Sequence, residues 1–395
     1  MSKIQDFKEL ANSAGICGIL LLIRPLIYFI FSRKRDISEY SSIDASAIIF
    51  ILYAIVCFVA AWGVLSKGNA KFGRLIMKQT PLIWFIIFTI YGFISMLWSV
   101  NLSLTAFRAF ECMAMIMLIV AIMQRLFTTC NTNRIIDWAI LYVVIDIIFA
   151  ILRTLKWTTE ISWLLESSQM MSTTFFYMAL YYPKKKWYHY LIIIMAIFSG
   201  STVAYIGMAI GLVSLLWNKT KYNALIMAGA MVMIFAFIII GPKKIIKDTI
   251  FYDKESISLE ETNGRNYLME LSIETMKENP MGLGFFSGEP FVLYSRGFGA
   301  INAHNSLFSA GIGLGYIGFF FMLIFFIGVF KTVLSNKIPP QYRATLIGCF
   351  CSAFLHCMGN PALGSRVFGA WLPVTFIFTL ICSFYIYGKY YVRKH

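Results

Sequence analysis

Charge is scarce in this chain. Only 13% of its 395 residues are Asp, Glu, Lys or Arg, while 59% are hydrophobic; an average soluble domain carries roughly 25% charged residues. That shortage excludes an ordinary water-soluble domain. Catalytic signatures of several large enzyme classes are missing as well. There is no Asp-x-Asp, no Gly-x-x-x-x-Gly-Lys-Ser/Thr and no Gly-x-Ser-x-Gly, so metal-assisted nucleotide-sugar chemistry, ATP hydrolysis and serine acyl transfer lack support. The eight cysteines form neither a disulfide framework nor a zinc spacing. Cys17, Cys57, Cys112 and Cys382 lie inside apolar runs, and Cys349, Cys351 and Cys357 crowd one hydrophobic segment around His356. Repeats of about 20–50 residues are absent. So are two matching halves with broken helices, although residues 187–217 come close to a broken pair split at Ser199-Gly200-Ser201-Thr202.

What is present is apolar runs. About 20 mostly apolar residues cross the hydrocarbon of a bilayer. Runs of about that length, some shorter, lie at 15–31, 45–65, 81–99, 104–123, 135–152, 163–182, 187–199, 202–217, 223–241, 305–330, 343–358 and 367–388. This predicts an all-α polytopic membrane protein with about 12 transmembrane helices. Residues 1–14 carry Lys3, Asp6, Lys8 and Glu9, and no small-residue cleavage site follows the first run, so that run is expected to be an uncleaved anchor.

The net charge of +15 does not indicate a nucleic-acid partner. A nucleic-acid binder gathers its cations into a patch or stripe. Here they occupy short loops: Lys67, Lys71, Arg74 and Lys78; Arg125 and Arg134; Lys184 to Lys186; Lys219 and Lys221; Lys331, Lys337 and Arg343. These are alternate loops, as the positive-inside rule demands of the cytoplasmic side, so both termini are expected there. Arg33, Lys34 and Arg35 are the exception, with Asp36, Glu39 and Asp44 close behind.

One long polar interruption, 242–304, falls on the extracytoplasmic side between spans 9 and 10. It separates an N-terminal bundle, 1–241, from C-terminal helices, 305–395. Long loops of this kind usually carry binding or chemistry. Leu268, Leu271 and Met276 recur among polar residues, which predicts an amphipathic helix within 259–279, ended by Asn279-Pro280 and the glycines after it.

The sharpest polar cluster is Asn302-Ala303-His304-Asn305-Ser306, where the loop re-enters the membrane ahead of Gly311, Gly313, Gly315 and Gly318. Imidazole exchanges a proton near neutral pH, so His304 is the candidate general base for a sugar hydroxyl; anchoring the loop at the interface is the competing role. Arg265 and Arg296 flank the helix region. A guanidinium fork grips phosphate oxygens and stabilises a diphosphate leaving group, whereas pairing with Glu260, Glu261 or Glu270 is the plainer use, favoured for Arg296. Gly282 and Gly284 allow left-handed backbone and close ligand approach. Inside the spans, Arg24, Arg108, Glu111 and Asp146 each cost at least about 2.5–3.5 kcal/mol to insert and should face the bundle interior. Arg108 and Glu111, three residues apart, should pair.

Ser199-Gly200-Ser201, Gly264-Arg265, Asn279-Pro280-Met281-Gly282-Leu283-Gly284, Ala303-His304-Asn305 and the glycines 311 to 318 together resemble the O-antigen ligase and polymerase superfamily in residues, order and spacing. The matching blocks run from about 198 to 320. The resemblance implies a bacterial inner-membrane enzyme whose active site faces the periplasm. It would transfer a glycan from undecaprenyl diphosphate to an acceptor hydroxyl, inverting the anomeric centre, with no metal or other cofactor. It assigns diphosphate binding to Arg265 and acceptor activation to His304; Asn305, Gly282, Gly284, Ser201 and Arg296 are the candidate substrate-binding residues beside them. Thr202 stands where the family commonly has an arginine, and Arg296 is the nearest replacement in sequence. The implied partners are the lipid-linked oligosaccharide donor, a glycan or lipid A–core acceptor, membrane lipids and a chain-length regulator. The residue before His304 and the missing arginine favour a polymerase of O-antigen or other surface polysaccharide over a ligase to lipid A–core. A polysaccharide flippase or other transporter is the alternative of a different class.

Overall fold

The computed structural model describes residues 3–31, 44–157, 171–180, 187–197, 206–210, 213, 259–296, 303, 305–359, 363 and 371–392. Among them every regular element is helical and no strand occurs. In chain order the helices are α1 (Lys3–Ser13), α2 (Gly15–Phe31), α3 (Ala45–Leu65), α4 (Lys71–Gln79), α5 (Leu82–Ile94), α6 (Leu102–Thr129), α7 (Thr132–Trp157), α8 (Trp187–Ile197), α9 (Leu259–Glu278), α10 (Gly288–Ser295), α11 (Ser306–Val333), α12 (Pro340–Gly359) and α13 (Trp371–Tyr387). Residues 171–180 are also helical.

Five of these segments are long and apolar enough to cross a membrane, or six if the bent pair Lys71–Gln79 and Leu82–Leu97 is one span. The protein is therefore a multi-pass membrane protein. Each expected run in the described residues coincides with a helix, to the residue at 15–31 and 45–65. The run 223–241, half of 163–182 and most of 202–217 lie outside the described residues, as do Arg33 to Arg35.

Lipid exposure differs among the spans as packing requires. In α13, 89% of the apolar window is buried, whereas in α3 only 28% is. Among the described spans α13 is thus the most enclosed and α3 the least, with Leu52, Val56, Val59 and Trp62 exposed. Ile317, Phe320, Ile324 and Ile327 form a similar outward row on α11. Such surface is stable only against an apolar solvent or partner.

Two features depart from the sequence expectations. Residues 3–13 form a helix of their own, tied to the bundle by Arg125, whose Nε donates to the Ser13 carbonyl at 3.1 Å. The basic stretch around Lys71, Arg74 and Lys78 is also helical. In α4 those cations share the exposed side, while Phe72, Gly73 and Ile76 are buried, the arrangement of a helix lying in the membrane interface. A bend of 79° then turns the chain into α5. Pro81 causes it, since the residue before a proline avoids helical backbone, and Thr80 is extended.

The membrane charges face inward, as expected. Arg24, Glu111 and Asp146 are 3%, 5% and 7% exposed. Arg108 donates to Glu111 Oε2 at 2.6 Å, Tyr28 donates to Glu111 Oε1, and Arg24 lies 3.8 Å from that oxygen and 4.4 Å from the Tyr28 ring centre. One carboxylate thus serves two guanidiniums. His356 is fully buried with Nε2 2.6 Å from Thr173 Oγ1.

Candidate functional site

The segment 259–296 is a folded cap on the N-terminal end of α11. Its first element, α9, ends at Glu278, just before Asn279-Pro280, as the sequence predicts. From residue 268 onward it is two-faced: Leu268, Leu271 and Met276 are buried, and Glu270, Glu274 and Lys277 are exposed. Leu268 and Leu271 join Val292 and Leu293 of α10, Ala303 and Ile312 in a small apolar core separate from that of the membrane bundle. Met276 packs where α11 has Gly311; a Cβ there would lie 2.3 Å from the Met276 sulfur.

The stretch 279–287 joins α9 to α10 and docks into a break in α11. At Gly315 the backbone is non-helical, with φ 64° and ψ −159°. Breaking a helix within a span frees polar backbone groups, which is tolerated only where protein or trapped water satisfies them. The loop does so here. Leu283 N donates to the Ile312 carbonyl at 3.0 Å, Gly284 N to the Gly313 carbonyl at 2.9 Å, and Tyr316 N to the Pro280 carbonyl at 3.1 Å. On its other side Val100 N donates to the Leu283 carbonyl at 3.0 Å. The hydroxyls of Ser99, Thr105 and Ser287 lie 2.7–2.8 Å from one another. Phe285, 1% exposed, inserts into the main core edge-on to Phe88.

This geometry gives Gly282 and Gly284 a specific job. Both have positive φ, 77° and 108°. A Cβ at Gly282 would lie 2.4 Å from the Gly313 carbonyl oxygen, and one at Gly284 would lie 2.0 Å from Ser99 Oγ. The close approach that the sequence assigned to a ligand is made here by the protein itself.

Asn305 caps α11. Its Oδ1 accepts from Leu307 N at 2.9 Å and Phe308 N at 3.4 Å, and its Nδ2 donates to the Met358 carbonyl at 3.2 Å. Arg296, at the end of α10, lies 3.7 Å from Glu278 and 3.9 Å from Glu274 with 42% of its side chain exposed. Its acidic neighbours are on α9, as the plainer reading required, though at later positions than Glu260, Glu261 and Glu270. Arg265 lies on α9, but its side chain is outside the described residues, as are His304 and Ser201. Asn305, Gly282 and Gly284 are thus brought to one end of α11, with Arg296 on the flank of the cap.

Sequence reasoning missed Glu289. It is 1% exposed, and its Oε1 accepts from Ala303 N at 2.6 Å and from Ser309 Oγ at 2.5 Å. The signal was a single charge in the otherwise uncharged stretch from Met281 to Ser295. The same reasoning had picked out Glu111.

The family model described as O-antigen ligase matches residues 188–323. That stretch begins in α8 and ends in α11, so it contains the whole cap, the helix break and the sequence Ala303-His304-Asn305. The match bears out the resemblance of this part of the chain to the O-antigen ligase and polymerase superfamily. The search of curated proteins found no match.

Proposed function

We propose that the protein is a glycosyltransferase of the bacterial inner membrane, with both termini cytoplasmic and its site facing the periplasm. It transfers a glycan from undecaprenyl diphosphate to an acceptor hydroxyl, and the acceptor is another lipid-linked repeat unit, so the enzyme polymerises surface polysaccharide. The observation that carries this reading is the family match over 188–323, which takes in both Arg265 and His304.

In the proposed reaction His304 accepts the acceptor hydroxyl proton as that oxygen attacks the anomeric carbon. The bond from that carbon to the diphosphate oxygen breaks with its electron pair moving to the diphosphate, and Arg265 stabilises the charge that develops there. Attack opposite the leaving group inverts the anomeric centre. Arg296 on the cap is a second cation for the diphosphate, in the absence of an arginine at position 202. No metal takes part in this scheme, and a chain-length regulator is a further partner.

The test is transfer by the purified protein in detergent, with a polyprenyl-diphosphate-linked oligosaccharide and a chelator, following released polyprenyl diphosphate and product size. A ladder of glycans that disappears in His304→Ala supports the polymerase. Transfer that begins only when lipid A–core is added would replace it with a ligase. No transfer under either condition would return the protein to the transporter class.

A further inference from the structure

Ala303 and Asn305, the neighbours of His304 in sequence, are each fixed by a different part of the protein. Ala303 is 6% exposed and packs in the small core of the cap. Its backbone N–H donates to Glu289 Oε1. Asn305 is fixed on the other side by its cap on α11 and its bond to the Met358 carbonyl. His304 is covalently joined to both. Glu289 itself has no open surface to offer a substrate at 1% exposure, and the oxygen that meets Ala303 is also taken up by Ser309 Oγ.

A carboxylate removed from water is costly unless it is fully engaged. This one links three elements: α10, which carries it; Ala303, which precedes the histidine; and α11, which carries Ser309. We infer that Glu289 is a positioning residue for glycan transfer: its carboxylate holds the backbone at Ala303, and so the approach of the neighbouring His304 to the acceptor hydroxyl. The inference rests on the reading of His304 as the base. What Glu289 supplies is an acceptor oxygen at a fixed place, so glutamine, which keeps such an oxygen, serves in its stead. Methionine fills a similar volume but leaves the Ala303 N–H without its acceptor.

The experiment compares wild type, Glu289→Gln, Glu289→Met and His304→Ala as full-length proteins in detergent. It measures kcat, the KM for the polyprenyl-diphosphate donor, thermal stability and hydrogen exchange at the Ala303 amide. Glu289→Met is expected to lower kcat by about tenfold or more with donor KM within about twofold of wild type, and to expose the Ala303 amide to exchange. Glu289→Gln is expected to restore both. Three results would overturn the inference: a Met variant with wild-type kcat, Ala303 protection unchanged in the Met variant, or a Gln variant as inactive as Met while stably folded. If Glu289→Met does not accumulate, Glu289→Asp, one methylene short of Ala303, takes its place with the same expected outcomes. Full activity of His304→Ala would instead remove the base assignment on which the positioning role depends.

Discussion

Tyr316 donates its backbone N–H to the carbonyl of Pro280 at 3.1 Å, and this bond bridges the place where α11 ceases to be helical at Gly315. A Cβ on Gly315 would lie 1.9 Å from that same carbonyl oxygen. The cap and the helix break therefore require each other: the loop satisfies the freed backbone groups, and the glycine makes room for the loop.

Gly315→Ala should accordingly be among the most damaging single-methyl additions in the protein. The backbone there is one that residues with a Cβ avoid, which alone costs about 1–3 kcal/mol, and the clash is with backbone that has no free rotamer. Gly63→Ala is the control, because nothing lies within 4 Å of a Cβ at that position of α3; alanine in a helix is worth about 0.5–1 kcal/mol over glycine. Thermal unfolding in detergent should show a lower midpoint for Gly315→Ala and an unchanged or higher one for Gly63→Ala. Equal midpoints would show that the break in α11 is not needed for folding.

The membrane cluster should respond unequally to loss of its members. Glu111 serves Arg108, Arg24 and Tyr28, so Glu111→Leu leaves two guanidiniums in a buried site without their shared carboxylate. Removing one partner of a buried pair costs about 3–5 kcal/mol. Arg108→Met should cost less, because Glu111 keeps Arg24 and Tyr28. Midpoints in the order wild type, Arg108→Met, Glu111→Leu are expected; the reverse order for the two variants would mean that Arg108 serves other partners more than it serves Glu111.

Much of this was legible in the sequence because hydrophobic periodicity and the punctuation of Asn279-Pro280 are local signals. Leu268, Leu271 and Met276 mark the buried side of α9, and the run 45–65 matches α3 residue for residue. The charge pairing of Arg108 with Glu111 followed from a spacing of three on one helix. What was not legible depends on partners far along the chain. Gly282 and Gly284 read as a ligand-approach motif, yet their partners are Gly313 on α11 and Ser99 before α6. Glu289 gave only the weak signal of a lone charge, and its meaning comes from Ala303 and Ser309. The basic stretch containing Lys71, Arg74 and Lys78 was read by its charge as a loop, although Phe72 and Ile76 already carry the four-residue spacing of a helical face.

Arg296 offers a test of substrate binding with little structural confusion. Its pairs with Glu274 and Glu278 are at the surface, and exposed pairs contribute about 0–1 kcal/mol, so Arg296→Ala should leave the unfolding midpoint nearly unchanged. If it helps to hold the diphosphate, the donor KM should rise several-fold with kcat little altered, and the wild-type donor KM should rise with salt more steeply than that of the variant, since exposed charge is screened. An unchanged donor KM would confine Arg296 to its contacts with α9.

Arg265→Ala and His304→Ala should each abolish transfer while the protein remains in the membrane at normal abundance, but for separable reasons. On the proposed roles, loss of His304 removes the base and leaves the grip on the diphosphate, so the variant should still bind polyprenyl diphosphate with wild-type affinity. Loss of Arg265 weakens that grip, so binding of the same lipid should fall along with turnover. Equilibrium binding of labelled polyprenyl diphosphate to each purified variant distinguishes the two roles. Equal binding by both variants would leave Arg265 without a place at the diphosphate, and a fall in abundance of either would make that residue a structural one.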